Sequence, residues 1–281
     1  MNIITSISEM KRLVSEIRND GKTIGFVPTM GFLHAGHLSL VDRSVSENDY
    51  TILSIFVNPT QFGPGEDLDR YPRDFNRDCS LSETAGVDVL FAPEVSAMYP
   101  SDYATFVDVT QISSVLCGAK REGHFKGVAT VVNKLFHICL PDRAYFGQKD
   151  YQQIQVIRRM TEDLNMNIDI IACPIIRETD GLAMSSRNTY LTAYERSQAL
   201  VLHQSLEYAQ KLLDAGERNA VKLAGEIASI IHTSLLAEIE YVAVVDTKTL
   251  ETVETIQGEV LLALAVRFGK TRLIDNIVLG V

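Results

Sequence analysis

Apolar positions along the chain follow two alternating spacings. Short apolar runs rich in β-branched residues predict buried strands; they span residues 23–27, 51–57, 87–91, 142–146 and 167–172, with an outlying strand at 106–109. Apolar residues at helical spacing predict the helices between them, at 7–17, 38–45, 73–85, 128–136 and 147–164. This alternation predicts an α/β fold in which helices cover both faces of a parallel sheet.

The order of elements changes near residues 175–188. Thr192 and Glu195 form a capping-box pattern that opens a long amphipathic helix to about residue 213. A helix at 221–236 and strands at 239–245, 260–266 and 272–278 follow. Helices followed by strands are typical of an α+β unit. We therefore predict a Rossmann-like domain in residues 1–176 and a smaller α+β lid domain in residues 177–281.

The turn after the first of these strands carries two histidines. Pro28 and Gly31 are expected to end the strand, and helical spacing resumes after Gly36. His34 and His37 then lie at a helix start, where free N–H groups and the helix dipole favour bound phosphate. Side chains three residues apart share one helix face, so both imidazoles can donate to phosphate oxygens. This arrangement suits attack on the α-phosphate of a nucleotide with loss of pyrophosphate.

The histidine pair has two other interpretations. The two side chains could simply hydrogen-bond within a loop. A zinc site fits less well, because metalloprotease histidines are spaced i, i+4 around a glutamate and no third ligand is evident nearby in the sequence. The position between a strand and a helix favours the nucleotide interpretation.

Polar residues also follow the second strand and precede the 128–136 helix. Loops at the carboxyl ends of parallel strands bind ligands, so Asn58 and Gln61 are candidates for orienting a polar substrate, with turn capping as the alternative. Residues 62–77 predict a mobile loop. His124, in a predicted polar loop at 121–127, is either a hydrogen-bonding loop residue or a substrate contact.

Two later turns add positive charge. Gly147 and Lys149 stand at a second strand-to-helix turn, where an amine can meet phosphate charge, and Gln153 faces the same way one turn later. Residues 184–187, Met-Ser-Ser-Arg, offer two hydroxyls and a guanidinium that could close over a triphosphate. Alone, a Ser-Ser-Arg triplet such as residues 185–187 is usually part of a polar loop.

Composition and charge narrow the class of protein. The 281 residues are 46% hydrophobic and 22% charged, as in ordinary soluble globular proteins. A net charge of −10 without a Lys/Arg-rich block argues against a nucleic-acid partner. We expect no signal peptide and no membrane span. The four cysteines are far apart, so we expect reduced thiols in a cytoplasmic protein.

Six stretches together resemble the pantoate–β-alanine ligase family, within the nucleotidylyl-transferase superfamily whose signature is His-x-Gly-His. They run in the family's order through the catalytic part of the chain. They are Val-Pro-Thr-Met-Gly-Phe-Leu-His-Ala-Gly-His (27–37), Phe-Val-Asn-Pro-Thr-Gln-Phe (56–62), Asp-Arg-Tyr-Pro-Arg (69–73), Arg-Glu-Gly-His-Phe-Lys-Gly-Val-Ala-Thr-Val-Val (121–132), Phe-Gly-Gln-Lys-Asp-Tyr-Gln-Gln (146–153) and Met-Ser-Ser-Arg-Asn (184–188).

The resemblance implies a two-step reaction in the biosynthesis of pantothenate. ATP and pantoate give pantoyl adenylate and pyrophosphate, and the amine of β-alanine then attacks the acyl carbon and releases AMP. It implies magnesium with the triphosphate and a homodimer. Gln61 and Gln153 would hold pantoate, with Gln61 also near β-alanine. The implied ATP site comprises Met30, Gly31, Phe32, Leu33, His34, Ala35, Gly36, His37, Gly147, Gln148, Lys149, Asp150, Ile176, Met184, Ser185, Ser186 and Arg187.

The chemistry of these residues agrees with the implied reaction. Adenylation builds negative charge on the α-phosphate, which positioned donors stabilise. A carboxylate nucleophile needs no deprotonation, so we assign His37 to charge stabilisation or proton donation, not to general-base work. A closed 62–77 loop would exclude water from the acyl adenylate. The expected catalytic set is His34, His37, Lys149, Ser185, Ser186 and Arg187.

Some points stay open at this stage. Phe32 and Lys126 depart from the smaller and acidic residues, respectively, that the family pattern leads us to expect, which affects local packing or substrate-loop details and not the reaction. The magnesium ligands are unassigned, with Asp78 as a possible neighbour of the metal. Three rivals remain: an adenylyltransferase that keeps the nucleotide in its product, a catalytically silent nucleotide-binding protein, and a transfer-RNA ligase, which the charge disfavours.

Overall fold

Residues 1–280 are described by the computed structural model, and six parallel strands organise the first half of this chain. They are β1 Asn2–Ile4, β2 Ile24–Thr29, β3 Tyr50–Ile55, β4 Val89–Phe91, β5 Arg143–Gly147 and β6 Asp169–Cys173. Their order across the sheet is β1-β4-β3-β2-β5-β6, and every neighbouring pair is parallel. The expected α/β sheet is confirmed, and β1, which sequence patterning missed, is a three-residue edge strand beside β4.

Helices accompany the strands in chain order. They are α1 Ile7–Asn19, α2 Ala35–Glu47, α3 Phe75–Thr84, α4 Val95–Met98, α5 Leu116–Lys120, α6 His124–Cys139 and α7 Tyr151–Asp163. Successive strand residues point to opposite faces, and they enter two separate cores. Phe26 and Ile52 pack with α1, α6 and α7, while Val27 and Leu53 pack with residues of α2. Both faces of the sheet are therefore covered, which explains the continuous apolar runs of its strands.

The second half forms an antiparallel sheet with three helices. The helices are α8 Ala193–Ala199, α9 Val201–Asp214 and α10 Ala220–Ile231, and the strands are β7 Ala237–Asp246, β8 Val260–Phe268 and β9 Thr271–Leu279. The strands pair in the order β7-β8-β9. Val245, Leu261 and Ala263 of this sheet belong to the same buried cluster as α6 and α7. The division between residues 176 and 177 falls shortly after β6 and stays a prediction.

Four expectations about local structure were wrong. Residues 106–109 form no strand, because the Val107 N–H donates to the Thr130 hydroxyl (3.0 Å) and finds no strand partner. Pro28 does not end β2, which continues to Thr29 beside β3. The pairing of β2 with β5 stops at Phe26. Because Pro28 lies beyond that point, its missing N–H does not interrupt the hydrogen bonds between β2 and β5.

Both helix boundaries that failed have backbone causes. Residues 124–127 belong to α6 and not to a loop, since Gly123 makes the preceding turn with φ +75°. The helix expected from residue 192 to 213 is two helices, because the backbone tightens at Leu200 to φ −60°, ψ −23°. The Thr192–Glu195 capping box is confirmed.

The sheet topology fixes where a ligand can bind. The chain order runs outward from β2 through β3 to β4 on one side and from β5 to β6 on the other. The adjacent strands β2 and β5 therefore define the topological switch point, and α/β sheets bind ligands at the carboxyl ends of such strands. Within residues 1–280, no helix has the length and apolar character needed to cross a membrane.

Gly25 sets how closely α2 packs on β2, and its replacement tests that packing. A Cβ at Gly25 would lie 2.2 Å from Ser44 Oγ and 2.5 Å from Asn48 Nδ2. We expect Gly25→Ala to lower the free energy of unfolding by about 1–3 kcal/mol, as overpacking does. Gly225→Ala is the control, since Gly225 has open space around it in α10. Urea denaturation measures both, and an equal effect of the two variants would contradict the packing argument.

Candidate active site

A cleft opens at the carboxyl ends of β2 and β5, and it gathers most of the residues that the sequence singled out. Of the predicted set, the cleft is lined by Met30, His34, Gly36, His37, Gln61, Gly147, Lys149, Asp150, Gln153, Ile176, Met184, Ser186 and Arg187. The remaining six flank it without lining it: Gly31, Phe32, Leu33, Ala35, Gln148 and Ser185. The structure thus brings together segments that are more than 150 residues apart in the chain.

The two histidines cap the start of α2. His34 Nδ1 accepts a hydrogen bond from the Gly36 N–H (3.1 Å), and His37 Nδ1 accepts one from the His34 N–H (3.4 Å). Because each Nδ1 is an acceptor, each neutral ring carries its hydrogen on Nε2. The rings stack with centroids 4.0 Å apart. A Cβ at Gly36 would lie 2.9 Å from the His34 ring, so any other residue there would displace that ring.

Burial keeps both imidazoles neutral. Desolvation, with the positive charge of Lys149 adding to it, lowers the pKa of His34 to about 4. Desolvation, with the His34 ring next in effect, lowers the pKa of His37 to about 3. Near pH 7 each ring is therefore a neutral Nε2–H donor with its tautomer already set. These are hydrogen-bond donors that need no reorganisation when a negative group arrives.

Asp78 holds the backbone that leads into this turn. Its two carboxylate oxygens accept the N–H groups of Phe32 and Leu33, each at 2.7 Å. Phe32 has φ +51°, an uncommon conformation for a non-glycine residue, and Asp78 stabilises it. Burial, outweighing these N–H bonds, raises the pKa of Asp78. Asp78 thus has a structural role in the loop that it supports, and its role as a metal neighbour stays a prediction.

Asn58 caps the turn that carries Gln61. Asn58 donates to Gln61 Oε1 (3.0 Å) and to the Gly127 carbonyl (3.1 Å), and its own oxygen accepts from Thr60. A Cβ at Gly127 would lie 2.4 Å from the Thr60 carbonyl oxygen, so this glycine lets α6 approach the turn. Of the two interpretations of Asn58, the structure shows the cap. Gln61 keeps its Nε2 toward Met30 Sδ (3.3 Å) in the cleft.

His124 braces the same turn from the first turn of α6. Its Nδ1 donates to the Gln61 carbonyl (2.8 Å), and its Nε2 lies 2.9 Å from Arg121 Nη1, which donates to it. Burial and the adjacent Arg121 charge lower the pKa of His124 to about 4. The ring lines the cleft as well, so it is a hydrogen-bonded residue at the border of the site.

Two consecutive carboxylates tie the 62–77 loop across the cleft. Glu66 accepts two hydrogen bonds from Arg121, both 2.7 Å, and Asp67 accepts two from Arg187, at 2.8 and 2.9 Å. Burial raises the pKa of Asp67, but the Arg187 hydrogen bonds outweigh it and leave that pKa lowered. Sequence reasoning missed both carboxylates, because Glu66 and Asp67 stand in a polar stretch without periodicity. The mobility of this loop stays a prediction.

Residues 184–187 reach the cleft through a tight backbone reversal. The reversal lies between residues 176 and 184, whose main chains meet where the Met184 N–H donates to the Ile176 carbonyl (2.9 Å). The Ser185 hydroxyl accepts from the Arg187 N–H (3.3 Å), and the Ser186 hydroxyl donates to the Phe32 carbonyl (3.3 Å). Arg187 lines the same cleft as His34, His37 and Lys149. Among residues 1–280, no group of three or more His, Cys, Asp or Glu side chains is arranged to hold a metal ion.

The fold and this cleft define an α/β protein whose site presents neutral and positive donors to an anionic ligand at the strand ends. The family model for pantoate-beta-alanine ligase matches residues 2–278. Pantothenate synthetases of Acetivibrio thermocellus and Thermotoga neapolitana are each 58% identical to this chain, with full coverage of both sequences. The chain belongs to the pantoate–β-alanine ligase family.

Solved structures agree with this assignment. The pantothenate synthetase of Thermus thermophilus superposes with a TM-score of 0.94 at 42% identity, over 99% of each chain. The pantoate-beta-alanine ligase of Francisella tularensis, complexed with beta-gamma ATP and beta-alanine, gives a TM-score of 0.81 at 35% identity, over 99% of this chain and 97% of that one. The expected family, fold class and ligase activity are confirmed, and pantothenate formation is the activity at this coarse level.

The neutral state of His124 predicts a pH effect on stability. Below about pH 6.5 a histidine in the unfolded chain takes up a proton, while His124 in the folded protein stays neutral until its pKa of about 4. The free energy of unfolding should therefore fall as pH drops from 6.5. Urea denaturation at pH 7.5 and 5.5 measures this fall in the free energy of unfolding. In His124→Gln the fall should be smaller than in the unmodified protein by up to about 1 kcal/mol. His137→Gln, at an exposed position on α6, is the control; identical pH dependence in all three proteins would contradict the prediction.

Proposed function

We propose that the protein condenses pantoate with β-alanine in two ATP-dependent steps through a pantoyl adenylate, with release of pyrophosphate and then AMP. The observation that carries this proposal is the cleft itself, which is lined by two histidines with Nε2–H donors together with a lysine and an arginine. The ATP and β-alanine named for the Francisella tularensis relative support it.

In the first step, a carboxylate oxygen of pantoate attacks the α-phosphorus of ATP. The bond from that phosphorus to the bridging oxygen breaks, and the electron pair leaves with pyrophosphate. His34 and His37 would donate from Nε2 to the phosphate oxygens, and Lys149 would balance the charge of two anions brought together. Since the pKa of His37 is lowered to about 3, we assign it to hydrogen-bond donation in preference to proton transfer.

In the second step, the neutral amine of β-alanine attacks the acyl carbon, AMP leaves with the electron pair of the acyl–oxygen bond, and the nitrogen loses one proton to solvent as the amide forms. Gln61 and Gln153 would hold the pantoyl group from either side of the cleft. Asn58 engages Gln61 Oε1 and so directs the Nε2 donor toward the ligand. Apolar residues of the wall, Val131, Val132 and Leu135 among them, would cover the methyl groups of pantoate.

Arg187 and the two serines would complete the nucleotide site. Asp67 neutralises Arg187, so this partly buried guanidinium is paired. A triphosphate would compete for the same guanidinium, because phosphate also accepts two parallel hydrogen bonds from arginine. The Ser185 and Ser186 hydroxyls, now engaged with backbone groups, lie in the same segment and are proposed as further donors.

Magnesium is proposed to arrive with ATP. Mg²⁺ is usually held by substrate phosphates with one or two carboxylates and several waters. Asp150, a cleft-lining carboxylate beside Lys149, fits that role and would neutralise phosphate charge through the ion. The homodimer implied by the family resemblance and the cytoplasmic location also stay proposals.

Product analysis tests the proposed reaction. With Mg-ATP and pantoate alone, we expect exchange of labelled pyrophosphate into ATP, because adenylation is reversible and needs no β-alanine. AMP and pantothenate should appear together only after β-alanine is added. A product that keeps the nucleotide would instead show an adenylyltransferase, and no signal with pantoate would remove the substrate assignment.

A lysine variant tests the electrostatic part of the mechanism. Lys149→Met keeps most of the side-chain length and removes the charge, so pantoate-dependent pyrophosphate exchange should fall by about 100- to 1,000-fold, as when other preorganised charge-stabilising groups are lost. Lys11→Met, at an exposed position on α1, is the control. If Lys149→Met retains most of the exchange rate, Lys149 does not stabilise the transition state.

A further inference from the structure

Asn276, in strand β9 of the second sheet, is hydrogen-bonded to the turn that carries Lys149. Its Nδ2 donates to the carbonyl oxygens of Gln148 (3.0 Å) and Lys149 (2.9 Å). The residue is 5% exposed, and it lies 127 positions beyond Lys149 in the chain. A side chain from the second sheet therefore holds two successive carbonyls at the end of β5, in the first sheet.

The orientation of this amide is set by its surroundings. Asn276 Oδ1 is buried and has no hydrogen-bond partner among the described residues. The reverse orientation would turn this oxygen toward two carbonyl oxygens, which are acceptors and would repel it. An unpaired buried acceptor is unfavourable, and the two hydrogen bonds that Nδ2 donates to the carbonyls of Gln148 and Lys149 offset this effect.

The adjacent residue, Asp275, fixes strand β9 next to these hydrogen bonds. Asp275, 2% exposed, accepts two hydrogen bonds from Arg177 (2.7 and 3.0 Å) and one from the Asn276 N–H (2.8 Å). Arg177 also donates to the Gly181 carbonyl (3.1 Å), in the stretch that leads to residues 184–187. The Asp275–Asn276 pair thus stands on a fixed strand that contacts both cation-bearing segments of the cleft.

The Lys149 turn needs such an anchor. Residues Gln148–Asp150 form a single 3₁₀ turn between β5 and α7, and 3₁₀ hydrogen bonds have poorer geometry than those of an α-helix. The backbone position of Lys149 fixes the start of a long, flexible side chain. A misplacement of about 1 Å in a catalytic group can cost about 100-fold in rate.

We propose that Asn276 is a positioning residue for Lys149 in the adenylation step. The inference rests on the proposed function, since it assumes that Lys149 stabilises charge on the nucleotide phosphates. Asn276 is not proposed to touch substrate; it acts through the main chain of the Lys149 turn. It also links the second sheet to the turn after β5, where adenylation is proposed to take place.

The two half-reactions and a double-mutant cycle test this role. Asn276→Ala should lower pantoate-dependent pyrophosphate exchange by about 10- to 100-fold, the loss typical of removing a group that orients a functional residue. Conversion of supplied pantoyl adenylate and β-alanine to pantothenate should change by less than about threefold. Pyrophosphate has already left in the first step, so the charge that Lys149 stabilises is no longer formed. In a Lys149→Met background, Asn276→Ala should have almost no further effect on exchange, since coupled residues are non-additive.

Two more variants separate positioning from general stability. Tyr151→Phe removes another hydrogen bond between the same two parts of the chain, from Tyr151 Oη to the Thr247 carbonyl (3.2 Å), without releasing the 148–149 carbonyls. It should leave the exchange rate near that of the unmodified enzyme. If Asn276→Ala fails to fold, Asn276→Thr keeps one donor in a residue that suits a strand, and its exchange rate should lie below that of the unmodified enzyme.

Each outcome has a distinct meaning. Unchanged exchange in a folded Asn276 variant, equal loss in both half-reactions, or an additive loss with Lys149→Met would overturn the positioning role. Absence of pantoate-dependent exchange in the unmodified enzyme would instead overturn the proposed function, and it would be visible before any variant is made.

Discussion

The start of α2 is the structural feature on which the rest of the cleft depends. A helix N-terminus leaves backbone N–H groups unpaired, and here two histidine side chains satisfy two of them. That pairing fixes the tautomers, stacks the rings and leaves both Nε2–H groups for a ligand. The arrangement requires glycine at 36, because the His34 ring covers its Cα. It also requires Asp78, since that carboxylate holds the backbone of Phe32 and Leu33 just before the turn.

Positive charge at the border of the cleft is balanced locally. Glu66 and Asp67 lie next to each other on one loop, and each neutralises a different arginine at the border of the cleft. A partly buried guanidinium without a partner would be unfavourable, and these two carboxylates supply the partners. Cation-rich surfaces of a site can therefore exist in a chain whose net charge is −10.

The second sheet contacts two segments that form the site. Its strand β9 contacts the Lys149 turn through Asn276 and the stretch before residues 184–187 through Asp275 and Arg177. Its apolar residues enter the same core as α6 and α7. The two parts of the molecule are consequently coupled at the strand end where the proposed chemistry begins.

Sequence by itself determined the parallel α/β pattern, the second antiparallel unit and the residues of the strand-end turns. Strand and helix periodicity, glycine and proline positions, and the spacing of His34 and His37 are local properties, and local rules apply to them. Only the tertiary structure decided how those turns meet. Glu66, Asp67 and Asn276 gain their roles from partners 55 to 128 residues away, and no periodic pattern marks them. The burial that keeps the histidines neutral is likewise a property of the packed cleft, because desolvation depends on what surrounds a ring and not on its neighbours in the chain.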